Sequence, residues 1–68
     1  MDAFDMTEQQ QRELAQALVP AGDRVTGAYA VSGLWFTASI LDAASGEHYT
    51  VRVSCATRQL CGEHYPML

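Results

Sequence analysis

The sequence predicts an α+β domain. One N-terminal helix packs on a three-stranded antiparallel meander, in the order α-β-β-β, followed by a short C-terminal helical turn or edge strand. Three observations predict this. An apolar spacing of three and four residues runs through the stretch 7–18. After Asp23 the period changes from helical to two. Three alternating runs then occur, at about 24–31, 34–41 and 47–55, separated by turn-forming residues.

The helix opens on Thr7 with Gln10 three residues later. This is a capping-box pattern, in which a hydroxyl serves an orphan amide and the glutamine reaches back. Glu8 in the first turn suits the helix dipole. Leu14, Ala15, Leu18 and Gln11 share one face, and Pro20 with Gly22 ends the helix. So short a helix must dock on something to persist.

In the first strand Val25, Gly27, Tyr29 and Val31 alternate with Thr26, Ala28 and Ala30. Ser32-Gly33 reads as a tight two-residue hairpin turn. Such a turn pairs Val31 with Leu34, Tyr29 with Phe36, Gly27 with Ala38 and Val25 with Ile40. The loop Asp42–Gly46 leads to the third strand, where Tyr49, Val51, Val53 and Cys55 fall on one side. Pairing Ile40 with Tyr49 sets Ala38 by Val51 and Phe36 by Val53. All these residues then share one apolar face, which Leu14 and Leu18 can cover with help from Phe4 or Met6. The repeat of Gly46-Glu47-His48-Tyr49 as Gly62-Glu63-His64-Tyr65 favours a fourth strand, with Pro66 confining it to an edge; a helical turn over 56–61 is the other possibility.

Sixty-eight residues make one domain. At this size folding buries only about 60% of the chain's surface, so a partner, disulfide or metal is a common addition. No apolar run approaches the roughly 20 residues needed to cross a bilayer. The acidic start is unlike a signal peptide, so the chain is expected to be cytoplasmic, with Cys55 and Cys61 as free thiols. Direct nucleic-acid binding is disfavoured: there is no lysine, and Arg12, Arg24, Arg52 and Arg58 are scattered. Asparagine is absent too and isoleucine occurs once, a codon bias that suggests a GC-rich bacterial or phage genome.

Catalysis finds little support. Ser39, Ser45 and Ser54 lie in no nucleophile elbow, and no phosphate loop is present. A chain this small is expected to lack a pocket of several hundred cubic ångströms. Cys55, Cys61, His48 and His64 suggest zinc at first sight, but His48 and Cys55 are an odd number apart on one strand and point to opposite faces. A Cys55–Cys61 disulfide would close a short loop. No metal or other cofactor is expected.

Two surfaces can carry binding. The net charge of −4 belongs wholly to residues 1–23, where Asp2, Asp5, Glu8, Glu13 and Asp23 face Arg12 alone. That set can cap a helix and face solvent, or it can engage a basic partner. The second surface is the other sheet face, with Ala28, Ala30, Trp35, Thr37 and Arg52. Trp and Arg are enriched at binding hot spots, and small neighbours allow close approach. Either a partner, including a second copy, or the tail with Tyr65, Met67 and Leu68 would cover Trp35. In size and charge the chain resembles the small phage-encoded proteins that block bacterial defence complexes, anti-CRISPR proteins among them. That likeness implies an inhibitor that occupies a nucleic-acid site on another protein. The alternatives are an accessory or regulatory subunit docking through Trp35, and a thiol or metal-dependent domain.

Overall fold

A computed structural model describes residues 2–66, with side chains described through Cys61. A 3-10 turn at Ala3–Asp5 precedes helix α1 (Glu8–Leu18), which is followed by strands β1 (Arg24–Ala30), β2 (Trp35–Leu41), β3 (His48–Ser54) and β4 (Leu60–Pro66). The strands form one antiparallel sheet in the order β1-β2-β3-β4. The C-terminal element is therefore a strand, and the meander has four members.

The capping box forms as its sequence predicts. Thr7 Oγ1 accepts from the Gln10 amide at 3.1 Å, and Gln10 Oε1 accepts from the Thr7 amide at 2.9 Å. Together they satisfy two donors that the first helical turn would leave unpaired. At the other end the Val19 amide donates to Ala15 at 3.0 Å, and Pro20 stops the helix. Gly22, at φ +98°, then turns the chain into β1.

The core lies between α1 and one face of the sheet. Phe36, Ala38, Ile40, Val51 and Val53 from β2 and β3 are fully or almost fully buried, with Val25, Ala15, Val19 and Ala3 around them. Leu14, Leu18 and Met6 pack against this group, whereas Phe4 is exposed. Gln11 is also buried, and its amide donates to the Ala3 carbonyl at 3.0 Å, so its polar end is satisfied. α1 also guards the outer edge of β1. Gln16 Oε1 accepts from the Val25 amide at 3.0 Å, and Arg12 Nη2 donates to the Val25 carbonyl at 3.4 Å. These side chains occupy backbone groups that would otherwise invite another strand.

The β2–β3 register is the expected one: Ile40 opposite Tyr49, Ala38 opposite Val51 and Phe36 opposite Val53. The β1–β2 register corrects the sequence-based expectation. Val25 does pair with Ile40, but a bulge comes next, and Gly27 pairs with Ser39, Ala28 with Ala38 and Ala30 with Phe36. Thr26 is the unpaired extra residue. A bulge inserts one residue into one strand and so reverses the facing of everything beyond it. Ala28 and Ala30 therefore pack against the core. Tyr29 and Val31 are exposed, and so is Leu34. The connection runs through Val31-Ser32-Gly33-Leu34 instead of a two-residue turn, because the shifted register ends pairing at Ala30 and Phe36.

That longer connection receives the N-terminal segment. The Ala3 amide donates to the Gly33 carbonyl at 2.9 Å. Asp2 caps the 3-10 turn through the Phe4 amide at 2.9 Å. A Cβ on Gly33 would stand 2.6 Å from Asp2 Oδ2, so a larger residue there would displace the exposed Asp2 carboxylate.

Candidate interaction surface

The face of the sheet turned away from α1 is built by β-strand alternation. Since Phe36, Ala38 and Ile40 face the core, Trp35, Thr37, Ser39 and Leu41 face outward. On β3 the same rule turns His48, Thr50, Arg52 and Ser54 outward. One row crosses all four strands: Tyr29 pairs with Thr37, Thr37 with Arg52 and Arg52 with Cys61. Trp35 sits one row further on, opposite Ser54.

Trp35 and Arg52 are diagonal neighbours. The Arg52 guanidinium carbon lies 4.5 Å from the centre of the Trp35 ring. A cation over the negative ring face is attracted by about 0.5–1 kcal/mol at exposed sites, enough to orient both side chains. At the same end of the sheet, Tyr29, Val31 and Leu34 are 59%, 60% and 77% exposed. Aromatic, aliphatic and guanidinium groups thus gather where β1 passes into β2.

Of the expected face residues, Trp35, Thr37 and Arg52 lie together. Ala28 and Ala30 do not, because the bulge at Thr26 turns them onto the covered side. Tyr29 takes their place, a residue assigned to the core by the unbulged register. Its signal was Gly27: a glycine inside a strand marks a bulge or a close approach.

The acidic residues do not form one patch. Asp2 is engaged in capping, and Glu13 accepts from Gln9 Nε2 at 2.9 Å. Glu8 is 3.8 Å from Arg12. Asp23 lies beyond the far end of α1, about 16 Å of helix away from the first turn. Its carboxylate accepts from the Tyr49 hydroxyl at 2.6 Å and the Ala43 amide at 3.1 Å. The Tyr49 bond, then the Ala43 amide, holds Asp23 below the usual carboxylate range. Burial first, and then Asp23, pushes Tyr49 up to about 12. At neutral pH Asp23 is ionised and Tyr49 keeps its proton, the pairing in which donor and acceptor suit each other.

Asp23 and Tyr49 also line an open pocket of about 350 Å³ with Pro20, Asp42, Glu47 and His48. The chain therefore does carry a pocket in the size range that its length argued against. The pocket forms because the loop between β2 and β3 stands beside the turn that ends α1; the Ala43–Asp23 bond ties the two together.

The sulfur residues are apart. Cys55 is on the covered side, with Sγ 3.9 Å from Met6 Sδ, while Cys61 pairs with Arg52 on the outward row. Both are free thiols, and the sheet stands between them. His48 lies at the opposite end of β3 from Cys55. Among the described residues no group of three His, Cys, Asp or Glu side chains is placed to hold a metal. The side chain of His64, and the tail residues Met67 and Leu68 with the Tyr65 side chain, lie outside the described residues.

Comparison with protein-family models, with curated proteins and with solved structures finds no match to this chain.

Proposed function

We propose that this chain is a non-enzymatic binding protein that docks on a protein partner through the open sheet face centred on Trp35. The observation that carries the reading is the Trp35–Arg52 stack, with exposed Tyr29 in the same row as Arg52. Rigid aromatics and arginine on regular strands contribute contact area at low entropic cost, and such residues dominate binding energies. Capture of partners from the source organism with wild-type, Trp35→Ala and Arg52→Ala baits tests it. A genuine partner is retained by the wild type and lost with Trp35→Ala. A partner list unaffected by either change sinks the reading.

A second reading is inhibition of a nucleic-acid-handling bacterial defence complex by the acidic third. It is favoured by Asp5, Glu8 and Glu13, which are exposed. Replacing these three with Asn and Gln would then abolish partner binding, and wild-type binding would weaken with salt.

A further inference from the structure

On the reading that the open sheet face is the contact surface, its charges narrow the chemistry of the partner. The chain has eight carboxylates for four arginines, so unpaired arginines are not forced by scarcity. Yet among the described residues the ion pair within reach is Arg12–Glu8, on the helix. Arg24 and Arg52 have no carboxylate partner there. The described acids lie in the N-terminal segment, on α1, in the turn before β1 and in the β2–β3 connection. None sits on the outward positions of β1, β2 or β3; the side chain of Glu63, on β4, lies outside the described residues. A protein of net charge −4 thus presents one face with arginines and no described counter-charge. A negatively charged group is repelled by the acidic N-terminal third and attracted by the arginines of this face, which orients it.

The register gives the spacing. Arg24 stands opposite Leu41, while Arg52 stands opposite Thr37. The two are separated by about 14 Å along the strands and about 10 Å across them, or roughly 17 Å in all. An extended chain covers that in about five residues. Trp35 lies beyond the Arg52 end, ready for an apolar side chain. We propose that the occupant is an acidic protein segment in extended conformation, with carboxylates about five residues apart meeting Arg24 and Arg52 and an apolar side chain seated on Trp35. Nucleic acid fits less well. Its continuous charge asks for many cationic contacts, whereas this face supplies two arginines on an acidic body.

The chain's single tryptophan is the reporter. The probe is a short synthetic peptide with two glutamates about five residues apart and a leucine just beyond one of them, titrated against Trp35 fluorescence. The control peptide carries glutamine at both positions, and oligothymidylate is titrated in parallel. The glutamate peptide should shift the emission saturably, and bind at least about tenfold more tightly than the glutamine peptide. Arg52→Gln and Arg24→Gln should each weaken it by about fivefold, as should moderate salt. Arg24 lies away from Trp35, so its variant reports on charge without disturbing the stack. Equal binding of the two peptides overturns the proposal. So does a response to oligothymidylate alone, or a dimer by light scattering that Trp35→Ala dissociates. These failures are separable from failure of the functional reading. Partner capture that needs Trp35 but not the glutamates removes only the acidic segment; capture indifferent to Trp35→Ala removes the docking face itself.

Discussion

Deleting Thr26 tests the register that creates the open face. In a regular strand the loss of one residue turns everything beyond it onto the opposite face. Here Thr26 is the extra residue of a bulge, with Val25 paired to Ile40 and Gly27 to Ser39 on either side. Removing it joins Val25 directly to Gly27 and leaves a regular ladder with the same partners. Ala28 and Ala30 stay on the core side, and Tyr29 stays outside. The loss is one side-chain hydrogen bond, Thr26 Oγ1 to the Ser39 carbonyl at 3.3 Å, exposed and long. Such a bond contributes no more than about 1 kcal/mol, and a healed ladder offsets part of it. The deletion should therefore change stability by less than about 1 kcal/mol in urea denaturation. Deleting Thr37 from β2 is the contrast. That strand pairs with β3 without a bulge, so the deletion must turn either Phe36 or the Ala38–Ile40 pair away from the core. Losing a fully buried Phe costs about 3–5 kcal/mol. A domain of this length has about 3–10 kcal/mol in total, so the Thr37 deletion should be largely unfolded. Loss of more than about 2 kcal/mol on deleting Thr26 would refute the bulged register, and with it the outward placement of Tyr29.

The Asp23–Tyr49 bond makes stability depend on pH in two windows. Because Asp23 is held low, its contribution is complete above the ordinary carboxylate range and is lost as pH falls through its folded value. Because Tyr49 is raised to about 12, its contribution is complete below the ordinary tyrosine value and is lost as pH rises from there through about 12. Tyr49→Phe should lower the melting temperature at neutral pH and abolish the alkaline window; an unchanged alkaline melt would contradict the pairing. Thr7→Ala should cost about 1 kcal/mol in thermal or urea denaturation, since both halves of the capping box are made. Gly33→Ala should destabilise by driving the Asp2 carboxylate off the Phe4 amide, and should cost less in an Asp2→Ala background, where the atoms 2.6–3.0 Å from the new methyl are gone. Equal costs in the two backgrounds would place the strain elsewhere.

Much of the architecture was legible because independent signals agreed. Thr7 with Gln10 and Pro20 with Gly22 bracketed the helix, and the alternation around Phe36, Ala38 and Ile40 fixed the β2–β3 register. What could not be read depended on contacts distant in sequence. The pocket beside Asp23 needs the Ala43 loop and the end of α1 to meet, and neither segment alone announces it. The acids showed a similar limit. Their number in the first third was plain, but whether each was spent on a cap, as with Asp2, or on a tyrosine, as with Asp23, depended on the fold.

The bulge that breaks the period-two pattern of β1 also builds the candidate site. Period-two reasoning placed Tyr29 and Val31 inside because they are the larger members of their strand, with Ala28 and Ala30 outside. The competing constraint is the room above Ala38 and Phe36, which Ala28 and Ala30 fill directly from the paired strand. In the unbulged register Tyr29 would stand opposite the fully buried Phe36, on the side of the sheet that α1 covers. Overpacking of that kind costs about 1–3 kcal/mol or more, comparable with the cost of leaving the side chain exposed. Thr26 resolves the conflict with one unpaired residue. The same step that protects the core moves an aromatic ring onto the open face, two strands from Arg52 and beside Thr37. Without the bulge that face would show alanine beside Trp35 and be a flat surface of small side chains. With it, the face has tyrosine, tryptophan and arginine arranged across three strands, the composition on which its proposed docking role depends.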